Sequence, residues 1–257
     1  MKPGYKHNPK DFTDVSDYAR PLAVAIANRL KDTKVTVHQI TLFHFGLSLL
    51  AAYEIQTGIY TNLLIGCALL LAKNVIDAVD GSLARLRNRP SKVGRFLDSN
   101  LDFIGNVIIF IAIPINSIWL KIFAFLSFTI HCSIYNYWNI QYQTHTNNLV
   151  TSQTKETAES KYPYDNKTAL KILFTTYQIF YGWQDWITRK IFKKKSHTIS
   201  GKAMTMLSLN GLGFQQIIII LGLLSNHPEW SMYWFILLNL PMLFFTYKHI
   251  KNGKQSV

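Results

Sequence analysis

Acidic residues and cysteines are scarce in this sequence. Only two of its 257 residues are cysteine, Cys67 and Cys132. Both sit in apolar stretches without metal-ligand spacing, so a disulfide framework and a thiolate metal site lack support, and both read as small buried residues. Charged residues make up 16% of the chain, below the roughly 25% of a soluble domain. Fourteen are acidic against 27 Lys and Arg, a formal net charge of +13. The first 35 residues contain no apolar run of the kind that marks a cleavable signal peptide, so the first long apolar segment is expected to direct insertion itself. No internal repeat is visible.

What the chain has instead is apolar length. Apolar residues form 49% of it, while the mean hydropathy is only +0.09 because two long polar stretches dilute the apolar ones. A membrane-crossing helix needs about 20 mostly apolar residues. Six segments meet that requirement, at 38–57, 61–80, 99–115, 118–138, 203–224 and 230–248.

The basic residues flank these segments rather than lining a soluble helix, which favours membrane orientation and lipid phosphates over nucleic acid as the reason for the charge. Seven Lys/Arg precede the first segment, five lie between the second and third, ten between the fourth and fifth, and two follow the last. The remaining loops, around 56–60, 114–117 and 226–229, carry none. The positive-inside rule then places both termini in the cytoplasm with six crossings between them.

Two polar regions complete the layout. In 16–33, Tyr18, Leu22, Ile26 and Leu30 recur at four-residue steps beside Arg20, Arg29 and Lys31, the pattern of an amphipathic helix lying on the cytoplasmic leaflet. Residues 141–167 read as a loop. From about Thr168 to Phe192 the pattern is helical, with Leu170, Leu173, Tyr177, Phe180, Trp183 and Ile187 available to one face, followed by a basic run at 193–195 that reads as a juxtamembrane charge patch. The expected fold is thus an all-α integral membrane protein. A cytoplasmic segment with the amphipathic helix covers 1–37, a six-helix membrane domain covers 38–248 and includes the polar segment 141–202, and a cytoplasmic tail covers 249–257.

Four of the few carboxylates lie together at the cytoplasmic ends of the second and third segments: Asp77, Asp80, Asp98 and Asp102. A charge at the centre of a membrane helix costs about 2.5–3.5 kcal/mol on insertion scales, and neighbouring carboxylates also repel. Asp77 and Asp80 are three apart and Asp98 and Asp102 four apart, so each pair shares a helix face. The short link from Arg85 to about Gly94 makes the two helices antiparallel neighbours. Four negative charges facing one another call for two divalent cations, and an all-oxygen ligand set suits Mg²⁺, Mn²⁺ or Ca²⁺ over Zn²⁺. Such a pair of ions stabilises displacement at phosphorus. The competing account pairs the aspartates with Arg85, Arg87, Arg89 and Arg95. Lys73 and Asn74 lie one turn before Asp77, where Lys73 either faces the site or neutralises a carboxylate. His44, His131 and Asn106 read as satisfied residues of the bundle.

The run Asp77-Ala-Val-Asp80-Gly81-Ser-Leu-Ala84-Arg85, eight residues, then Gly94-Arg-Phe-Leu-Asp98-Ser-Asn-Leu-Asp102 resembles the signature of the CDP-alcohol phosphotransferases, with all eight fixed positions and every spacing matched. Arg20-Pro21-Leu22 and Thr36-Val-His-Gln-Ile-Thr41 are also similar to the entry to the first membrane helix of bacterial members, with Val37-His38 in place of Pro-Asn. The resemblance implies a phospholipid-synthesising transferase in a bacterial-type cytoplasmic (inner) membrane, its site facing the cytoplasm. Asp77, Asp80 and Asp98 would ligate two Mg²⁺ or Mn²⁺ ions with a contribution from Asp102. Asp77, Gly81, Ala84, Arg85 and Gly94 would line the CDP pocket, and Asp102 would be the catalytic base on the acceptor hydroxyl.

The expected partners are a CDP-linked donor, a lipid, a small alcohol acceptor and membrane lipids. No nucleic acid is expected, and a homodimer is allowed. The stretch 94–102 is closer to enzymes that use CDP-diacylglycerol and a small polar alcohol than to those passing a CDP-choline or CDP-ethanolamine head group to diacylglycerol. Inositol-phosphate enzymes often carry Arg after the last aspartate, where this chain has Phe103. A cation transporter would need polar groups continuing across the membrane, and 63–71 and 107–113 are almost wholly apolar. An inactive scaffold finds no support in an intact motif.

Overall fold

A computed structural model describes residues 3–6, 11–146, 152–192 and 199–238, and every element among them is helical. In chain order these are α1 (Arg20–Leu30), α2 (Val37–Ile55), α3 (Tyr60–Leu86), α4 (Lys92–Ala112), α5 (Ile118–His145), α6 (Lys167–Phe192), α7 (Gly201–Ser208), α8 (Leu212–Leu224) and α9 (Pro228–Tyr233). A 3₁₀ turn at Val15–Asp17 precedes them and a π turn at Trp234–Leu238 follows. Local chemistry starts several of these helices. Thr36 accepts from the Gln39 amide while the Gln39 side chain returns to the Thr36 amide, a reciprocal cap of the first turn of α2. Ser91, Ser117 and Ser200 cap α4, α5 and α7 in the same way from one side.

Among the described residues, three stretches are long and apolar enough to cross a membrane: Tyr60–Leu86, Ile118–His145 and Gly201–Leu224. Most of the expected segment 230–248, the tail 249–257 and the basic run 193–195 lie outside the described residues. Boundaries differ from the sequence expectation in four places. α3 continues through the aspartates to Leu86, and a link of five residues, 87–91, with Asn88 in the left-handed region (φ 50°), leads directly into α4. α4 starts at Lys92, seven residues before the apolar run. α5 stays helical to His145, where a loop was expected from 141. The segment 203–224 breaks after Ser208. Leu209, Asn210 and Gly211 turn back through i→i−3 bonds, and the Gln215 amide donates to the freed Leu209 carbonyl at 2.7 Å. A side chain at Gly211 would run into Ser16.

The chain divides into two compact units. Unit 1 comprises Met1–Lys6, Ala19–Pro114 and Thr151–Trp183. In it α1 lies on α3 through Ala23 and Ala27, packed with Ile40, Ala78, Val79 and Leu83. The sequence stripe turns out differently from expectation: Ile26 and Leu30 pack partly against this cluster, whereas Leu22 stays 56% exposed. Small residues let the backbones approach closely. A Cβ at Gly66 on α3 would meet Ile55 of α2 at 2.6 Å, and one at Gly105 on α4 would meet Ser48 of α2 at 3.2 Å.

The polarity of α2 is inside out. Thr41, His44 and Ser48 are buried, while Leu42, Phe43, Leu50 and Tyr53 face outward, Phe43 at 58% exposure. Helices whose large apolar side chains point out and whose polar groups point in are solvated by lipid rather than water.

The segment 152–166 is a strap across the start of α4. Asp165 accepts from Ser91 Oγ (2.6 Å), the Lys92 amide (2.9 Å) and Ser160 Oγ (2.5 Å), and Tyr164 donates to the Pro90 carbonyl. Buried Glu156 meets Arg95 at 2.8 Å. Lys92 donates to the Thr157 carbonyl at 3.1 Å, and burial pushes its ammonium below the ordinary lysine range while Glu156 pulls it back up. α6 then runs parallel to α4. Phe96 packs on Phe174 and Tyr177, Phe103 stacks on Phe180 with centroids 4.5 Å apart, and Tyr181 donates to the Ser99 carbonyl.

Unit 2 comprises His7–Tyr18, Ile115–Val150 and Gln184–Val257. Its core gathers Phe12, Ile134, Tyr135, Trp138, Phe192, Met204 and Leu207. The Tyr135 hydroxyl donates to Asp14, and Ser208 Oγ accepts from the Val15 amide at 2.9 Å. This fastens the N-terminal stretch to α5 and α7.

Candidate metal centre

The site lies in unit 1, where α2, α3 and α4 meet. Because α3 remains helical past its aspartates, Asp77 and Asp80 share a face one turn apart. Asp98 and Asp102 do the same on α4, as expected from spacing. The tight approaches at Gly66 and Gly105 bring α2 against both helices, and α2 supplies what the motif does not contain. Ligand atoms of His44, Asp77, Asp80 and Asp98 all lie within 4.8 Å of one another.

His44 is 0% exposed. Its Nε2 is 3.2 Å from Asp98 Oδ1 and 4.0 Å from Asp77 Oδ1. Its Nδ1 has no hydrogen-bond partner and is 4.0 Å from Asp102 Oδ1. Thr41, one turn earlier, donates to Asp80 Oδ2 at 2.7 Å. Both positions carry polar groups on a face that burial would otherwise reserve for apolar ones. That is the signal in the sequence that could have singled them out, although His44 on its own reads as a bundle residue.

Asp102 does not join this group. Its Oδ1 is 2.5 Å from Lys73 Nζ, and the same ammonium is 4.0 Å from Asp77 Oδ2. Of the two readings of Lys73, it takes both parts, facing the site and neutralising a carboxylate. The structure therefore converges three of the four aspartates and holds the fourth beside them.

The arginine account of the carboxylates fails for three of its four members. Arg87 donates to the carbonyls of Leu30, Lys31, Thr33 and Val35, closing the end of α1. Arg89 lies over the Tyr164 ring, and Arg95 meets Glu156. Arg85 donates from Nε to the Gly4 carbonyl at 3.0 Å, with its guanidinium above Gly81. Gly81, Ala84 and Arg85 continue the helix for the turn and a half beyond Asp80. Gly94 stands one turn before Asp98, with space for a Cβ whose neighbours are Ser91 and, at 3.9 Å, His38. Arg20, expected beside a surface stripe, is buried and donates to the Ala78 carbonyl (2.7 Å) and Ser82 Oγ (2.8 Å), bracing the α3 backbone between Asp77 and Asp80.

Three carboxylates and an imidazole nitrogen within this span form a donor set that fits a divalent cation. Carboxylate oxygens select Mg²⁺ or Mn²⁺, and an imidazole is tolerated better by Mn²⁺. Thr41, through its bond to Asp80, is the outer group that would hold one such ligand in place.

A sequence model of the family described as CDP-alcohol phosphatidyltransferase matches residues 33–245. An archaetidylinositol phosphate synthase of Pyrococcus horikoshii is 32% identical over 93 residues, 36% of this chain and 48% of that protein. One from Methanothermobacter thermautotrophicus is 43% identical over 74 residues, 29% of this chain and 36% of the relative. The aligned stretches thus span about half or less of these relatives.

Proposed function

This chain belongs to the CDP-alcohol phosphatidyltransferase family, and we propose that it transfers a phosphatidyl-type group from CDP-diacylglycerol or a similar CDP-lipid to a small polar alcohol, releasing CMP. The observation that carries this reading is the convergence of Asp77, Asp80 and Asp98 with the buried His44. Few arrangements other than cation binding repay placing three carboxylates at the end of apolar helices.

In this reading Asp77, Asp80 and Asp98, with His44 beside them, hold two Mg²⁺ or Mn²⁺ ions. When bound, these ions neutralise the pyrophosphate of the donor and the charge that develops on CMP as it leaves. Asp77, Gly81, Ala84, Arg85 and Gly94 form the CDP pocket, where the bare Gly81 and Gly94 leave room for a base and phosphates. Asp102 takes the proton of the acceptor hydroxyl, since an alcohol with a pKa far above 7 is a poor nucleophile until that proton is removed during attack. Attack falls on the phosphorus distal to cytidine. Six crossings with both termini in the cytoplasm set this site at the cytoplasmic surface of the membrane, where a soluble alcohol and a lipid donor meet, and α1 lies along that surface.

The test is CMP release by the purified protein with Mg²⁺, CDP-diacylglycerol or CDP-choline, and a panel of acceptors. The names of the two archaeal relatives put inositol phosphate on that panel. Phe103 argues against it, because it packs on Phe180 where inositol-phosphate enzymes often carry an arginine. Release with CDP-choline and diacylglycerol alone would reverse the substrate assignment. Absence of CMP with every pair would refute the reading.

A further inference from the structure

The turn at residues 3–6 belongs to the same compact unit as the metal centre, and none of the sequence motifs accounts for it. We propose that this turn is part of the substrate site: Gly4 fastens it to Arg85, and Lys6 is a phosphate-binding residue that meets the diphosphate of a CDP-linked donor or a phosphate carried by the acceptor. The proposal rests on the transferase reading of the site.

The turn is fitted to its place from the backbone up. Pro3 leads into Gly4, whose φ of 82° is a left-handed conformation that glycine adopts without steric cost. Gly4 is buried, and a Cβ there would meet Val24 of α1 at 3.3 Å and Leu86 of α3 at 3.5 Å. Its carbonyl accepts from Arg85 Nε at 3.0 Å. The Arg85 guanidinium reaches back over Gly81, 3.4 Å from where a Cβ would stand. Arg85 and Gly81 are both members of the motif, so the turn is seated on the wall expected to receive CDP.

Lys6 follows two residues later, a backbone span of at most about 7 Å, and it is exposed. Its positive charge acts on both Asp77 and Asp98. Lys73 and Arg20 also act on Asp77, but both are committed elsewhere. Lys73 is buried against Asp102, and Arg20 against the Ala78 carbonyl and Ser82. Lys6 stands in solvent on a flexible stem, as a compact ammonium able to follow a ligand. Charge balance gives it a task. Two divalent ions balance the four aspartates, so the negative charges of an incoming diphosphate or acceptor phosphate remain to be met, and a charge-assisted hydrogen bond from an ammonium meets them.

The experiment uses the full-length protein in detergent. CDP binding with Mg²⁺ is measured by calorimetry, and CMP release from a CDP-lipid with glycerol phosphate, inositol phosphate or serine as acceptor. If the ammonium meets the donor, Lys6→Met lowers CDP affinity about tenfold. If it meets the acceptor, the KM of a phosphorylated acceptor rises about tenfold while that of serine and kcat stay within about threefold. Lys6→Arg, which returns the charge, stays within about threefold of wild type in every measurement. Gly4→Val strains the turn and drives it against Val24 and Leu86, so it reproduces the loss. Adding Lys6→Met to Gly4→Val then costs nothing further, because the two act as one unit.

The proposal is overturned if Lys6→Met keeps both CDP affinity and acceptor KM within about threefold of wild type, or if Lys6→Arg loses as much as Lys6→Met. It is also overturned if Lys6→Met has its full effect in the Gly4→Val background, since Lys6 would then act without the turn. Wild-type protein that neither binds CDP nor releases CMP fails the transferase reading itself. Wild-type binding that Lys6→Met leaves unchanged, with acceptor KM unchanged as well, fails this proposal alone.

Discussion

Replacing Thr41 with valine removes one hydrogen bond from the metal centre and almost nothing else. The side chains are nearly the same shape, Thr41 is buried, and its hydroxyl donates to Asp80 Oδ2 at 2.7 Å while Asp80 is itself buried. A hydrogen bond to a charged group contributes about 1.5–3 kcal/mol. Loss of an outer partner of a metal ligand typically lowers metal affinity about 10–100-fold, which converts to about 1.4–2.7 kcal/mol. The two routes agree, so Thr41→Val is expected to weaken Mn²⁺ binding by one to two orders of magnitude (about 10–100-fold). The metal dependence of CMP release should move to higher concentration by the same factor. Thr41→Ser, which keeps the hydroxyl, stays within about threefold of wild type. Titration of purified protein with Mn²⁺ decides the matter. An affinity changed by less than twofold in Thr41→Val would show that Asp80 is oriented without α2, or that Asp80 does not ligate.

Other substitutions probe the remaining parts. Asp102→Asn is expected to abolish turnover while a CDP-donor analogue still binds, whereas Asp80→Asn should shift the metal dependence; near-normal turnover in Asp102→Asn would remove it as the base. Asp165→Ala leaves the Lys92 amide and the Ser91 and Ser160 hydroxyls without their acceptor, at a cost of about 1–3 kcal/mol, read as a lower unfolding midpoint and faster proteolysis within 152–166. Gly66→Val places a Cβ 2.6 Å from Ile55, whose side chain is fully buried. The expected loss is about 1–3 kcal/mol of stability, with weaker Mn²⁺ binding by the folded protein, because a wider gap between α2 and α3 draws His44 and Thr41 away from Asp98 and Asp80.

The helices and the aspartates were legible in the sequence for a simple reason. Apolar length and local spacing are properties of one segment at a time. Thus α3 and α5 follow from their apolar runs, α6 from its 3.6-residue pattern, and the pairing of Asp77 with Asp80 and of Asp98 with Asp102 from helical geometry alone. The sequence could not say how far each helix continues into polar residues. The extension of α3 through Gly81 to Leu86 depends on Arg20 and the α1 contact, and the break after Ser208 depends on Ser16 and Gln215.

The same boundary separates the two halves of the metal centre. Four carboxylates in two helix-spaced pairs pointed to a shared cation from the residues alone, because charge burial and periodicity need no knowledge of the rest of the chain. Which carboxylates converge was a tertiary matter. The close approach of α2 at Gly66 and Gly105 brings His44 and Thr41 to Asp98 and Asp80, and with α3 and α4 both seated on α2 the Lys73 ammonium reaches Asp102. Residues equivalent by spacing became unequal because long-range packing gave each a different neighbour.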